Sequence, residues 1–84
     1  MSMKIKNENN LFRTSDLALA AVLSLSFSIE FIDKENPSKA YFVFSKTKEL
    51  DDSIEKYWRG DLKVEPQGYH AQLRVIKARL YAQE

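Results

Sequence analysis

His70, Arg74, Lys77 and Tyr81 stand at i, i+4, i+7 and i+11 in the last third of the chain. At about 100° per residue they fall within about a sixth of a helix circumference. Two cations and an aromatic ring on one line can hold phosphates and stack on a base or sugar. The ordinary account of the same residues is that cations near a helix C-terminus complement its dipole and keep the face solvated. Trp58-Arg59 offers a second pairing of ring and cation, suited to bases or to a partner hot spot. Its ordinary account has Trp58 closing the core beneath the last helix, with Arg59 in solvent. Tyr41 and Tyr57 are open to the same two accounts, core packing being the ordinary one. The residues that could contact a nucleic acid or a partner are therefore Arg59, His70, Arg74, Lys77 and Tyr81.

Catalytic chemistry has less support. A general base at His70 needs an orienting carboxylate and a nucleophile within reach. Asp61 and Glu65 precede it, but nothing in their spacing fixes that geometry, and a solvated or edge-of-core histidine is expected. Asp51, Asp52 and Glu55 cluster within one helical turn and a half. Metal binding would need oxygen ligands converging from several elements, so a solvated acidic face is the simpler reading. With two glycines, Gly60 and Gly68, there is no phosphate-cradling loop, and neither a zinc pattern nor a nucleophile elbow is present. Without cysteine there is no disulfide and no thiolate chemistry. The expectation is a protein that is not an enzyme, with no cofactor and no metal.

These side chains need elements to hold them. Tyr69, Leu73, Ile76 and Leu80 recur at helical spacing beside the basic stripe, so the last helix should bury one line and expose its neighbour. Pro66 suits its first position, where a missing N–H costs nothing. Thr47 and Gly60 bracket another helix, with Leu50, Ile54 and Tyr57 inward and Asp51, Asp52 and Glu55 outward. Leu62 to Val64 is extended and could add a short strand. Further upstream, Phe27, Ile29 and Phe31 alternate with Ser28 and Glu30, and Tyr41-Phe42-Val43-Phe44 follows the Asn36-Pro37 turn. This predicts a hairpin with Phe27, Ile29 and Phe31 on its buried face. Thr14-Ser15-Asp16 signals a helix start before Leu17 to about Leu25. That helix is apolar all round and must be buried on more than one side, or paired with a second copy of itself. The sequence thus predicts an α+β class, in the order α-β-β-α-(β)-α, with an antiparallel hairpin packed against helices. Residues 1–12 are expected to be a flexible N-terminal arm and 13–84 a single domain.

An 84-residue chain that is 44% hydrophobic can build one core. Total stability should be roughly 4–12 kcal/mol, at ~0.05–0.15 kcal/mol per residue. The net charge is only +1, but it is unevenly spread: residues 66–83 carry Arg74, Lys77 and Arg79 and no acid. The apolar run after Lys4, Lys6 and Arg13 invites comparison with a signal peptide. Asp16 at its mouth, Glu8 upstream and the missing A-x-A site argue against one, and the run is far short of the ~20 residues of a membrane span. A cytoplasmic protein is expected.

The series Thr14-Ser15-Asp16-Leu17-Ala18-Leu19-Ala20-Ala21, Phe42-Val43-Phe44, Tyr57-Trp58-Arg59-Gly60, Val64-x-Pro66, Tyr69 and Leu73-Arg74-x-x-Lys77-x-Arg79-Leu80-Tyr81 resembles a family of small bacterial and phage proteins catalogued as a domain of unknown function. The resemblance covers nearly the whole chain after the arm. It implies a phage or mobile-element context and carries over no catalytic residues. Two functions follow as expectations. One is a non-catalytic, nucleic-acid-associated module working through the basic C-terminal helix, with Arg13, Arg59 or the arm assisting. The other is a protein-interaction module, as adaptor, inhibitor or homodimer, using the apolar first helix and the hairpin surfaces. Neither involves a membrane or an identified small-molecule substrate.

Overall fold

A computed structural model describes residues 10–82. These residues form three strands and three helices: β1 (Leu11–Thr14), α1 (Leu17–Ser24), β2 (Ile29–Asp33), β3 (Tyr41–Ser45), α2 (Lys48–Arg59) and α3 (Pro66–Tyr81). The α+β class and the antiparallel hairpin packed on helices are as the sequence predicts. The third strand comes from elsewhere. Leu11 and Phe12, expected within the arm, are strand residues, and residues 1–9 of that arm lie outside the described residues. The sheet order is β1-β3-β2, so both neighbours pair antiparallel with β3. Leu62 to Val64 is not a strand. The segment crosses from α2 to α3 without joining the sheet.

Register sets the two faces of the sheet. Phe44 lies opposite Phe12 and Ile29, and Phe42 opposite Thr14 and Ile32. All of these sit on the helix side, as period-two alternation requires. The register of β2 shifts between Ile29 and Phe31, a bulge that gives β2 one extra residue. Phe31 therefore turns to the outer face opposite Val43 and is 47% exposed, where strict alternation placed it in the core. Ile32 takes the inward place. On the outer face Arg13 of β1 reaches across β3 to pair with Asp33 of β2, and its guanidinium lies 5.3 Å from the Tyr41 ring centroid. The Glu35 N–H and Arg13, both bonded to Asp33, hold its carboxyl below the usual carboxylate range. Arg13 thus ties β1 to β2 across the outer face of β3.

Local chemistry fixes the helix ends. The Asp16 carboxylate caps α1 by accepting from the Leu19 N–H at 3.2 Å, and the Thr14 hydroxyl accepts from the Asp16 N–H at 3.0 Å. Thr47 caps α2 in the same way, accepting from the Leu50 N–H at 3.0 Å. Glu65 caps α3 through the Gly68 N–H, with Pro66 following at the first turn. The end of α2 is a Schellman turn: the Asp61 N–H donates to the Lys56 carbonyl and the Gly60 N–H to that of Tyr57. Gly60 has φ +78°, and nothing lies within 4 Å of where a Cβ would sit. Gly60→Ala should therefore cost roughly 1–2 kcal/mol, all of it backbone strain. That is a fall of about 4–8 °C in a thermal melt for each kcal/mol. Gly60→Asn, which tolerates this conformation better, should fall less; equal melts for Ala and glycine would show that the turn is not held as described.

The core is a single cluster. Leu19, Ala20, Ala21 and Leu23 of α1 meet Phe42 and Phe44 of β3, Leu50 of α2 and Ile76 of α3. Around it pack Ile54 and Tyr57 of α2 and Tyr69, Leu73 and Leu80 of α3, so the predicted stripes do face inward. Packing of α1 against both α2 and α3 explains its lack of a polar face. In α1, Leu19, Ala20, Ala21 and Leu23 are buried, and Leu17, Ala18, Val22 and Ser24 are half-buried. Its C-terminal turn is tied to α3 as well, where the Gln72 side-chain amide donates to the Ser24 hydroxyl at 2.8 Å.

Candidate nucleic-acid interface

Ile76 anchors α3 from within, at 1% exposure, and this orientation decides what the helix shows to solvent. His70, Arg74, Lys77 and Tyr81 are all exposed. They form one line of roughly 16 Å along the helix, from the 1.5 Å rise per residue. His70 and Arg74 line a shallow depression with Pro66 and Gln67. At the other end Tyr81 is 74% exposed and borders a groove beside the connection between β2 and β3. The structure therefore brings four of the five predicted contact residues onto one accessible face.

Arg59 stands apart. It ends α2, where its Nε donates to Asp61 at 3.1 Å and its guanidinium lies 3.8 Å from Glu55. Two further acids of α2 are engaged likewise: Asp51 pairs with Lys46 at 2.8 Å and Asp52 with Lys48 at 3.5 Å. The predicted acidic face is thus a row of exposed ion pairs. Among the described residues no group of histidine, aspartate and glutamate is placed to hold a metal ion.

Trp58 does not close the core. It is 66% exposed, with its ring edge-on to Tyr57 at 5.0 Å between centroids. Tyr57 takes the inward position instead, packing against the core. Burial pushes its phenol up from the ordinary value, and the nearby Asp16 charge adds to that. The two residues are adjacent on a helix, about 100° apart, so only one of them can face inward.

Charge pairing separates the cations of α3 from four others. Arg13, Lys46, Lys48 and Arg59 all sit in ion pairs. Arg74 and Lys77 make neither an ion pair nor a hydrogen bond among the described residues, and no acid lies on their helix. Two cations that the pattern of α3 could not reveal join the face from outside it. Lys34 and Lys39 flank the Asn36-Pro37 turn and line the same groove as Tyr81. The signal was present in the sequence, as lysines on both sides of a turn, but only the fold shows that this turn meets the end of α3.

Fold and surface together define a small α+β domain with a three-stranded antiparallel sheet, helices on one side and one basic, acid-free helix face. The family model for a domain of unknown function, DUF5659, matches residues 9–82, and the chain belongs to that family. No curated protein and no solved structure matches the chain. Among the described residues no helix is long and apolar enough to cross a membrane.

Proposed function

We propose that this protein is a non-catalytic, nucleic-acid-associated module of phage or mobile-element type, acting in the cytoplasm through the outer face of α3. One observation carries the reading: Arg74 and Lys77 are exposed and unpaired among the described residues, side by side on a helix without acids. Phosphates would take the place of the missing counter-charges, and Tyr81, one turn beyond Lys77, supplies a ring for a base or sugar. Binding through two cations is weak and strongly salt-dependent, with a slope of log affinity against log salt near about −2 on duplex DNA.

The test is a salt titration of labelled DNA and RNA, single-stranded and duplex, against the parent and the double variant Arg74→Glu/Lys77→Glu. The variant should melt like the parent, because both side chains are exposed. It should lose the salt slope those two contacts supply, about one for each. Folded parent protein that binds none of these nucleic acids at low salt ends the reading.

A second reading, a protein-interaction module, is favoured by Trp58 and Phe31, two large rings left largely in solvent. Burying a tryptophan is a common energetic centre of protein interfaces. In its homodimer form it is tested by light scattering: a strict monomer at high concentration removes it.

A further inference from the structure

The groove at the C-terminal end of α3 has features that a phosphate-binding face alone does not require. Its volume is about 540 Å³, within the ~300–1,000 Å³ of small-ligand sites. Leu17, Phe42 and Leu80 give it an apolar floor, from the start of α1, the central strand and the last turn of α3. Tyr81 stands at its edge. Lys34 and Lys39 border it from the connection between β2 and β3, and none of its lining residues is acidic. Lys34 donates to the Ala82 carbonyl at 3.1 Å, which places its ammonium at the junction of that connection with the end of α3. An ammonium has three donors, so this bond leaves capacity for a phosphate oxygen. Glu35 lies in the same connection but is not among the lining residues, and its N–H is turned to Asp33.

We infer that this groove receives an unpaired base of a single-stranded nucleic acid, stacked on Tyr81 with the flanking phosphates on Lys34 and Lys39. The inference rests on the reading of α3 as a nucleic-acid face and names the form of nucleic acid that face takes. Tyr81 is shared by the two surfaces. A strand held along Arg74 and Lys77 arrives at the ring one helical turn later, where the floor turns apolar. A base inside a duplex is already stacked and paired and cannot enter such a recess without being extruded. A strand with free bases meets no such obstacle, and stacking on an aromatic ring tolerates any base.

The experiment measures anisotropy of labelled oligonucleotides of equal length, in DNA and in RNA, at low salt with the full chain. Three forms are compared: a single strand, its duplex, and a base-free strand with the same phosphates. The single strand should bind tightest, about fivefold or more above the base-free strand, as loss of one stacked base implies. Tyr81→Ala should bring the single strand down to the base-free level and leave the base-free strand unchanged. Lys34→Ala/Lys39→Ala should weaken both strands alike. Circular dichroism of each variant confirms that it folds. Equal binding of the intact and base-free strands overturns the inference while leaving the phosphate-binding face standing, as does a Tyr81→Ala variant that binds every form like the parent. No binding of any form by the folded parent overturns both.

Discussion

Phe44→Ala is expected to destabilise the protein by about 3–5 kcal/mol, the range for removing a buried phenylalanine ring. Phe44 is 0% exposed and lies on the central strand, opposite Phe12 on one side and Ile29 on the other. Its ring belongs to the cluster that joins Leu19, Leu23, Leu50 and Ile76. The neighbours cannot collapse into the space, because backbone ladders on both sides hold β3 in place. Against a total of roughly 4–12 kcal/mol, such a loss brings the domain near its threshold. A thermal melt should move down by at least about 12 °C, at about 4 °C or more for each kcal/mol. A shift of only a few degrees would mean that the helices do not cover this face of the sheet.

Ile76→Asp should have the larger effect and abolish cooperative folding at room temperature. Ile76 is the one fully buried residue of α3, and it meets α1 through the core cluster. A carboxylate there has no cationic partner among the core residues. The effective penalty for burying an ion is several kcal/mol, and the lost packing of the isoleucine adds to it. The informative control is Ile76→Val, which should cost only about 0.5–1.5 kcal/mol and keep a sharp melt. The pair separates the two faces of one helix. Changes at position 76 should act on folding, and changes at 74 and 77 on binding with folding intact. An Ile76→Asp chain that still melts cooperatively near the parent would place the wrong line of α3 in the core.

What could be read from the sequence was whatever local spacing controls. The inward stripes of α2 and α3, the cap at Thr47, the helix start at Thr14-Ser15-Asp16, the Gly60 turn and the Pro66 start are each decided within one or two helical turns. The same holds for the exposure of His70, Arg74, Lys77 and Tyr81, since a helix that buries Ile76 must show its neighbouring line. The features that escaped depend on distant partners. Leu11–Thr14 carries little alternation of its own and becomes a strand because β3 has an open edge for it. The bulge in β2 is visible only against the register of β3, so Phe31 reads as core in the sequence and is exposed in the fold. Trp58 reads as either core or contact ring in the sequence, and in the fold Tyr57 holds the inward direction and leaves it exposed. Lys34 and Lys39 join the surface of α3 only through the return of the chain.

The central position of β3 also bears on how the protein is made. β3 is the last strand in the chain, yet both others pair with it and not with each other. A nascent chain that has not reached Tyr41 therefore carries two strand segments without a hydrogen-bonding partner, and an apolar α1 without the sheet that covers it. Pairing of Leu11 with Ser45 must close the loop across all the intervening residues, an entropy cost that grows with the logarithm of loop length. Assembly of the sheet is therefore governed by the arrival of one segment and cannot proceed strand by strand as the chain leaves the ribosome.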